Sequence, residues 1–435
     1  MSEWKKVKIG DFLHQYRNTI YVEDAEIYRQ ITISSKDGIK YRCSKIGKEI
    51  GRKRQFVIDL KKNPNTVIFT RQGLHEGSIG IAPLEVDECI TTENMPMFSI
   101  DESMVLSDYL RLFFKSPIFI NLIGTLTPTG SAQKAIHERD LLPLEILLPD
   151  LATQKELVKN LSHQLKKSED LQQEIEKQKS YAKQLRQNIL QDAIEGKLTE
   201  EWRKNHPVVK GNPDFDAEAL FEKIQEENGY KISKIDKTEY GWCFSILGNF
   251  VKLKIGGTPS RNNPDYWKKE IPWVSSGEVA NCEIYSTKEQ ISLTGSEKSA
   301  AKILPKGTVL IAMIGQGKTR GQSAILRIEA ATNQNVCAVL LPNKLIKSEY
   351  MYIYFCSRYE ESRKVATGGN QAALSGTKIS QFLFSLPPLA EQEEIVRVVE
   401  AQLAKVDQLE KQIAERETLT KRLMQSIMKD AFREG

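Results

Sequence analysis

Short polar loops hold the residues of this sequence whose types could do specific chemistry. Arg can donate two hydrogen bonds to guanine, and Gln or Asn can pair in a matching way with adenine, so these types can read base edges in DNA. The alternative at each position is an ordinary polar loop. The candidates in the first half of the chain are Arg71, Gln72, His75, Thr129, Ser131, Gln133 and Lys134. The candidates in the second half are Ser260, Arg261, Gln316, Lys318, Thr319, Arg320, Asn370 and Gln371.

Basic residues are concentrated in two segments that contain some of these loops. Residues 36–62 hold ten Lys and Arg against three Asp and Glu, and we take Arg52 and Arg54 in this segment as further DNA-binding candidates. Residues 240–385 carry 18 Lys and Arg against 10 Asp and Glu, a net charge of +8. A run of charge is usually a solvated face, but an excess of this size favours a polyanionic partner.

Two short motifs resemble catalytic signatures, but the neighbouring sequence of each lacks an element that the chemistry needs. Residues 312–319 read A-x-x-x-x-G-K-T, like a phosphate-binding loop, but the next residues are strand-like, whereas a phosphate site needs a helix N-terminus there. Residues 263–266 read Asn-Pro-Asp-Tyr, close to an adenine methyltransferase signature, yet no glycine-rich cofactor loop precedes them. We therefore predict a turn at 263–266, and no catalytic residue in this chain.

Cysteine and histidine spacing gives no metal or disulfide pattern. The six Cys and five His are scattered without a C-x-x-C pair, which is typical of reduced thiols and predicts no metal site. No apolar run is long enough to cross a bilayer, and the first residues lack a signal-peptide pattern. We expect a cytoplasmic protein with no membrane partner.

The elements that must position the loops are organised by an internal repeat. Residues 148–193 align without a gap to residues 386–431, and 18 of these 46 positions are identical at an offset of 238. The copies open with Leu-Pro-Asp-Leu-Ala-Thr-Gln and Leu-Pro-Pro-Leu-Ala-Glu-Gln. Weaker matches at the same offset link the segments that precede each copy, and polar loops recur at corresponding places in both halves.

Both copies predict long helices with a coiled-coil seam, because apolar residues recur with the alternating spacing of four and three residues. The predicted seam in the first copy is Leu157, Leu161, Leu171, Ile175, Ala182, Leu185 and Ile189. The predicted seam in the second copy is Ile395, Val399, Val406, Leu409, Ile413, Leu423 and Ile427. We expect the two helices to pair antiparallel about a pseudo-twofold axis, with the globular segments at opposite ends. The alternative is that each helix packs only on its own globular domain.

We predict an α+β protein with two globular domains of curved β-sheet, at residues 1–147 and 240–385, joined by the two long helices. Strand-like runs occur at 28–34, 66–70, 78–82 and 308–314, and helix-like runs occur at 107–123 and 348–366. The other segments are a central long helix at 148–196, a linker at 197–239 with a short helix at 216–227, and a C-terminal long helix at 386–435.

The whole chain resembles the specificity subunits of type I restriction–modification systems. The resemblance lies in the two helix-opening motifs at 148–154 and 386–392, in Asp-Ala-Ile-Glu-Gly-Lys-Leu-Thr at 192–199, and in Gly-Gly-Thr-Pro-Ser at 256–260. The first copy departs from the pattern at Asp150 and Thr153.

The resemblance implies a non-catalytic recognition subunit in which each globular domain reads half of a split, asymmetric site in double-stranded DNA. It implies that the paired helices set the gap between half-sites and dock two methyltransferase subunits. It also implies that this chain binds no cofactor, while partner subunits use S-adenosylmethionine to methylate adenine, and restriction subunits use ATP and magnesium to translocate and cut DNA.

Two other functional classes fit parts of the sequence. One is a stand-alone DNA methyltransferase or nuclease with its own recognition domains, which the missing cofactor and metal motifs disfavour. The other is a coiled-coil scaffold that joins two protein-binding modules, which would show no salt-sensitive DNA binding.

Overall fold

The computed structural model describes residues 4–126, 135–229, 232, 235–315, 317–364 and 374–433. The chain divides into two compact units, with residues 1–177 and 413–435 in unit 1 and residues 178–412 in unit 2. The boundary falls inside both long helices, so each helix contributes one of its halves to each unit. Sheets and helices alternate irregularly in both units, which confirms the predicted α+β class.

Unit 1 contains three small sheets and short helices that precede the first long helix. Its strands are β1 (Lys5–Lys8), β2 (Leu13–Tyr16), β3 (Thr19–Tyr21), β4 (Ile27–Ser34), β5 (Gly38–Ile46), β6 (Arg54–Val57), β7 (Val67–Phe69), β8 (Ile79–Ile81), β9 (Ile90–Thr91), β10 (Met97–Ile100) and β11 (Glu145–Leu148). Its helices are α1 (Ile9–Phe12), α2 (Ser107–Phe113), α3 (Pro117–Gly124), α4 (Glu138–Leu141) and the long helix α5 (Leu151–Ile194). Single 3₁₀ turns lie at Gly47–Glu49, Leu74–Glu76 and Leu84–Val86.

The sheets of unit 1 have the orders β1-β11, β2-β10-β7-β8 and β3-β6-β9-β4-β5. Long hairpin β4–β5 has a register shift between Gln30 and Ile31. The helix predicted at 107–123 is divided in two, because Ser116 caps a new helix at Phe119 N over 3.1 Å and Pro117 occupies its first turn. The strands predicted at 28–34, 66–70 and 78–82 are present.

Unit 2 has the same kinds of element in a different arrangement. Its strands are β12 (Asp236–Lys237), β13 (Cys243–Ile246), β14 (Lys252–Ile255), β15 (Ile271–Val274), β16 (Cys282–Ile284), β17 (Glu289–Ile291), β18 (Val309–Ala312), β19 (Ser323–Leu326), β20 (Ala331–Thr332), β21 (Val336–Leu340) and β22 (Leu383–Leu386). Its helices are α6 (Glu200–Asn205), α7 (Ala217–Asn228), α8 (Leu293–Glu297), α9 (Ser348–Ser357), α10 (Tyr359–Lys364), α11 (Gly376–Ser380) and the long helix α12 (Leu389–Ala431). Single 3₁₀ turns lie at Lys197–Thr199, Leu247–Asn249, Pro264–Trp267 and Ser276–Glu278.

The sheets of unit 2 have the orders β12-β13-β22, β14-β21-β18-β19-β16 and β17-β15-β20. Strands β18 and β19 are buried along their whole length, which explains their continuous apolar sequence. The segment predicted as a linker packs into this unit, because Leu220, Phe221 and Ile224 of α7 are buried in its main core. No helix in the described part of the chain is both long and apolar enough to span a membrane.

The long helices bury one residue in every seven, at the same positions of both copies. In α5 these residues are Leu161, Ser168, Ile175, Ala182 and Ile189. Their counterparts 238 residues later are Val399, Val406, Ile413 and Thr420, which are buried, and Ile427, which is half-buried. A stripe with this period is the seam of a coiled coil, so this part of the heptad prediction is confirmed.

The remaining seam positions are only partly confirmed, because Ile395 is buried and Leu157 packs against a core but four leucines are not buried. Leu171, Leu185, Leu409 and Leu423 are 44%, 43%, 45% and 55% exposed. The side chains beside the buried stripe come from its opposite flank, where Arg186 of α5 pairs with Asp407 and, at 3.0 Å, with Glu410 of α12. A polar pair can serve as a seam contact, and hydrophobicity alone therefore selected the wrong flank.

The two helices run antiparallel in unit 2. Thr199, just beyond the end of α5, donates a hydrogen bond of 2.6 Å to Glu391 in the first turn of α12. Earlier in α5, Arg186 reaches Glu410, which lies later in α12. In unit 1, Leu161 near the start of α5 shares a core with Met428 and Phe432 at the end of α12.

The first turn of α12 is fixed by a buried carboxylate. Glu391 accepts hydrogen bonds from Trp242 Nε1 at 2.7 Å, Thr199 Oγ1 at 2.6 Å and Arg203 Nη1 at 2.5 Å. The corresponding residue of α5 is Thr153, whose backbone N–H instead donates to Asp150 Oδ1 at 2.8 Å. The two departures of the first copy from the repeated motif therefore form one replacement, in which an Asp cap takes over the start of the helix.

Unit 1 has its own internal ion pair, between Arg71 and Glu138. Arg71 Nε and Nη2 donate to the two Glu138 carboxylate oxygens at 2.9 and 2.6 Å, and Gln15 donates to the same carboxylate at 3.0 Å. Partial burial of Glu138 acts to raise its pKa, but the hydrogen bonds and positive charge of Arg71 outweigh this and lower the pKa from the usual value of 4.5.

Replacing Glu391 by Ala should destabilise unit 2 by about 3 kcal/mol or more, because Arg203, Trp242 and Thr199 would lose their shared buried acceptor. Four of the five Trp residues belong to unit 2, so tryptophan fluorescence in urea follows its unfolding. The matched control is Thr153→Ala, which should cost about 0.5 kcal/mol or less because the bonded group there is a backbone N–H. Equal shifts of the unfolding midpoint for both variants would contradict this role for Glu391.

The Arg71–Glu138 pair should make the stability of unit 1 depend on pH on the acid side. Because the pKa of Glu138 is lowered in the folded state, its contribution is complete above pH 4.5 and is lost as the pH falls through the folded-state pKa. The free energy of unfolding of Glu138→Gln should therefore lie below that of the wild type at neutral pH and converge with it in acid. Thermal denaturation between neutral pH and about pH 3 measures the difference, and a constant difference would argue against the pair.

Candidate nucleic-acid interface

The basic segment 36–62 forms an exposed surface on the third sheet of unit 1. It covers the edge strand β5, the turn before it, the following loop and strand β6, and most of its residues are exposed. The exposed cations of hairpin β4–β5 are Lys36, Lys40, Arg42 and Lys45. An exposed aromatic ring, Tyr41, lies among them and is covered by Arg29 at 5.3 Å. Cations interleaved with an aromatic side chain are typical of surfaces that contact nucleic acid.

The predicted residues Arg52 and Arg54 lie beside this hairpin surface and are loosely paired. Both contact the carboxylate of Glu93, at 3.6 and 3.7 Å, and the intervening Lys53 pairs with Asp24. All these side chains are substantially exposed. Solvated pairs of this length contribute little energy, so phosphate groups could replace the carboxylates at small cost.

The predicted loop at 71–75 is divided between an internal and an exposed part. Arg71 is held by Glu138 as described above, which leaves its guanidinium committed to the fold. Gln72 and His75 are exposed, and His75 lies in a 3₁₀ turn where its ring contacts Glu76 at 3.6 Å. The companion candidates Thr129, Ser131, Gln133 and Lys134 lie outside the described residues.

In unit 2 the candidate Arg261 is stacked and paired. Its guanidinium lies 3.5 Å from the ring centre of Trp267 and donates to both oxygens of Glu289, one at 2.9 Å. The hydrogen bonds to Glu289 raise the pKa of Arg261 further. Ser260 is exposed, and its backbone carbonyl accepts from Trp267 Nε1 at 3.2 Å. Arg261 is thus rigid and still about half exposed at the surface.

The loop that carries Lys318, Thr319 and Arg320 joins strands β18 and β19. A strand follows the loop, so its resemblance to a phosphate-binding loop does not extend to the helix that such a site requires. Lys318 is exposed, and Thr319 and Arg320 are half-buried. The predicted residues Gln316, Asn370 and Gln371 lie outside the described residues.

Side chains of helix α10 donate hydrogen bonds to the backbone carbonyls of this loop. Tyr359 donates to the Lys318 carbonyl at 2.7 Å, and Arg363 Nη1 donates to the Gly317 carbonyl at 2.6 Å. Arg320 in turn donates to the Arg363 carbonyl at 3.3 Å. Tyr359 and Arg363 were not predicted from sequence, although two side chains spaced i, i+4 on a helix lie on one face and can contact the same neighbouring segment.

The structure brings the unit 1 candidates Arg52 and Arg54 together at Glu93. Arg71 lies in another loop of unit 1, and in unit 2 Ser260 and Arg261 share one loop while Lys318 lies in a different one. Within the described ranges, no group of three or more His, Cys, Asp or Glu side chains could hold a metal ion. The described surface therefore offers cations, amides and hydroxyls for recognition of a polyanion.

One protein-family model and several known proteins are similar to this sequence. The family model described as the type I restriction modification DNA specificity domain matches residues 239–416. The EcoKI specificity subunit of Escherichia coli strain K12 is 27% identical over 343 residues, which cover 76% of this chain and 66% of that protein. The EcoR124I/EcoR124II specificity subunit of Escherichia coli is 29% identical over 161 residues, 36% of this chain and 40% of that protein. The chain thus spans just under two thirds of the first relative and less than half of the second.

Two solved structures share the fold over nearly the whole chain. One comes from work on complex assembly and conformational transition of the type I R-M system, with a TM-score of 0.63, 18% identity and coverage of 99% of this chain and 98% of that one. The other is the HsdS subunit from Thermoanaerobacter tengcongensis, with a TM-score of 0.54, 16% identity and coverage of 99% and 96%. The solved structures show that the fold is shared, and the sequence matches show that the chain is similar to type I restriction enzyme specificity subunits, with residues 239–416 matching the DNA specificity domain model.

Proposed function

We propose that this chain is the DNA sequence-specificity subunit of a type I restriction–modification complex. Each globular segment, 1–147 and 240–385, reads one half of a bipartite asymmetric DNA site, and the paired helices fix the gap between the halves. One observation carries this proposal. The two long helices repeat both sequence and buried positions at an offset of 238, whereas the segments they carry have different sheets and loops. Two matched helices that carry different globular segments suit a protein whose DNA targets vary while its protein partners stay the same.

Most of the affinity for DNA should come from phosphate contacts, which place the protein without reading sequence. The exposed cations of hairpin β4–β5 and of the 52–54 loop supply such contacts in unit 1, and the net charge of +8 between 240 and 385 supplies them in unit 2. Base reading is assigned to exposed loop residues such as Gln72 and Lys318. Arg71 and Arg261 are held by carboxylates, so we assign Arg71 to loop support and Arg261 to a rigid, pre-oriented contact.

Methyl transfer and DNA cleavage are assigned to partner subunits. S-adenosylmethionine, ATP and magnesium are accordingly expected in those subunits, and this chain contributes recognition in the cytoplasm, where the DNA lies. The helix flank that the antiparallel pairing leaves exposed is the proposed docking surface for two methyltransferase subunits.

This surface occurs once in each unit with equivalent residues. In unit 2 it is formed by the exposed side chains of Tyr181, Leu185 and Leu409. In unit 1 it is formed by those of Leu419, Leu423 and Leu171. The members of the two sets correspond at the offset of 238, which suits two copies of one partner. Large apolar side chains grouped on an otherwise charged helix are typical of a protein interface.

Removal of one heptad from each long helix should shorten the gap between half-sites. Deleting residues 172–178 together with 410–416 keeps the buried stripe in register and removes about 10 Å of each helix, or roughly three base pairs of DNA. The measurement is selection of bound duplexes from a random pool by the full chain. Both half-site sequences should be unchanged and the gap should be shorter.

The same selection with the deletion in only one helix is the control, because one helix is then seven residues shorter than its partner, both ends can no longer pair at once, and the variant should lose two-part recognition. An unchanged gap in the double deletion, or a changed half-site sequence, would contradict the spacer role of the helices.

Substitution of the exposed flank should remove partners one at a time. Leu185→Asp should leave one bound modification subunit, Leu423→Asp should likewise leave one, and the double variant should leave none, because a charge would have to be desolvated in each interface. Native mass spectrometry of the chain mixed with the modification subunit counts the bound copies.

Ser180→Asp and Thr418→Asp are matched controls, because these exposed residues lie on the other side of the helices and are also 238 residues apart. Two bound copies in both controls and fewer in the Leu variants are expected. Full binding by the Leu double variant would exclude this flank as the docking surface.

A further inference from the structure

The junction between each recognition domain and its long helix contains a short extended connection. Strand β11 ends at Leu148 and α5 begins at Leu151, and strand β22 ends at Leu386 and α12 begins at Leu389. A connection of two residues joins the parts, and the angle between them is set by contacts beyond it, of which the Glu391–Trp242 hydrogen bond is present only in unit 2. A helix can set the distance between two DNA half-sites only if the domain on it is held at a fixed angle.

In unit 2 a second connection is made by the side chain of Gln392. This residue lies in the first turn of α12 and is fully buried. Its Oε1 accepts a hydrogen bond of 2.9 Å from the backbone N–H of Lys347, and its Nε2 donates to the carbonyl of Pro387 at 3.1 Å. Lys347 is the N-cap residue of α9, which is a core helix of the recognition domain. The amide side chain therefore ties the start of the long helix to the start of a domain helix.

In unit 1 Gln154 makes the equivalent connection. It is also fully buried in the first turn of its helix. Its Oε1 accepts from the backbone N–H of Leu106 at 2.8 Å, and its Nε2 donates to the carbonyls of Pro149 at 2.8 Å and Met104 at 2.9 Å. Leu106 is the N-cap residue of α2, which packs in the core of unit 1.

The contact is preserved although the domains around it have diverged. The two glutamines are 238 residues apart, whereas the N-cap residues that they bind are 241 residues apart, so the intervening segments differ in length by three. The bonded helices have different sequences, Ser-Asp-Tyr-Leu-Arg-Leu-Phe and Ser-Glu-Tyr-Met-Tyr-Ile-Tyr-Phe-Cys-Ser. A general packing contact would not need one amide to bind the first free N–H of a helix in both places.

We propose that Gln154 and Gln392 are positioning residues that lock each recognition domain in one orientation on its long helix and thereby make the gap between half-sites a single length. The inference rests on the proposed function. It adds the contacts through which the length of the helices would determine the length of the gap. At Gln154 both ends of the amide bind the domain, through Leu106 and Met104, whereas at Gln392 one end binds Lys347 of the domain and the other binds Pro387 in the connection. Loss of the lock should widen the set of accepted gaps without changing the bases that are read.

The test uses the full chain with Gln154→Met and Gln392→Met, singly and together, because Met keeps the length and shape of Gln without its hydrogen bonds. Bound duplexes are selected from a pool in which the two half-sites found for the wild type are separated by gaps of different length. The wild type should enrich one gap. In the double variant the enrichment of gaps one base pair shorter and longer should rise about tenfold or more, because both N-cap hydrogen bonds are lost and loss of one buried hydrogen bond is itself worth up to about tenfold.

The control is the pair Gln164→Met and Gln402→Met, which lies ten residues further along the same helices and should retain the single gap. If the double Met variant fails to fold, the single variants Gln154→Met and Gln392→Met are tested separately, and a broadened gap is expected in each because each loses its hydrogen bond to the N-cap residue of the domain helix. Amide hydrogen exchange at Leu106 and Lys347 should accelerate in the folded variants.

A double variant that still enriches one gap, even with a lower melting temperature, would overturn the inference and leave the glutamines with a stabilising role alone. A wild-type chain that selects no two-part sequence would overturn the proposed function itself, and this result is obtained before any variant is made.

Discussion

Burial of a one-in-seven stripe along two long helices is the constraint on which the rest of this structure depends. The helices contain 44 and 43 residues, and neither could bury such a stripe on its own. Each fully buried Leu or Ile contributes about 1.5–3 kcal/mol, so the stripe stabilises the pair only where a second helix covers it. Duplication at an offset of 238 supplies that second helix within the same chain.

The repeat also separates what is shared by the two units from what distinguishes them. The glutamines of the opening motif, the buried stripe and the exposed flank are duplicated. The start of the helix is not, because Asp150 caps the first copy whereas Glu391 binds Arg203, Thr199 and Trp242 in the second. The Arg186–Glu410 pair is likewise confined to unit 2, since Met424 occupies the position equivalent to Arg186. Such differences favour pairing of a half of α5 with a half of α12 over pairing of two copies of the same half.

The sequence predicted the repeat, both helices, the class of fold and several strands, because periodicity and self-similarity are properties of neighbouring residues. It wrongly placed Leu171 and Leu185 in the seam, because they are more apolar than Arg186, whose partners Asp407 and Glu410 lie on the other helix and are not evident from the local sequence. The segment at 197–239 read as a linker because its polar residues conceal the buried face of α7.

Candidate base readers were the least predictable part, since their partners are distant in sequence. Arg71 is bound by Glu138, 67 residues away, and Arg261 by Glu289, 28 residues away. A loop arginine that is free and one that is committed to a carboxylate have the same local sequence. The exposed basic surface was easier to predict from sequence. Residues 36–62 hold ten cations and only three anions, so most of the cations remain in excess whichever ion pairs form.

We propose that one chain reads two DNA half-sites held at one distance. The most direct test is genome-wide mapping of methylated adenines in cells that carry this chain with its modification subunits, compared with the same cells lacking the chain. The account predicts that a two-part, asymmetric motif with a single fixed gap is methylated only when the chain is present. A continuous motif, or a two-part motif whose gap varies from site to site, would contradict it.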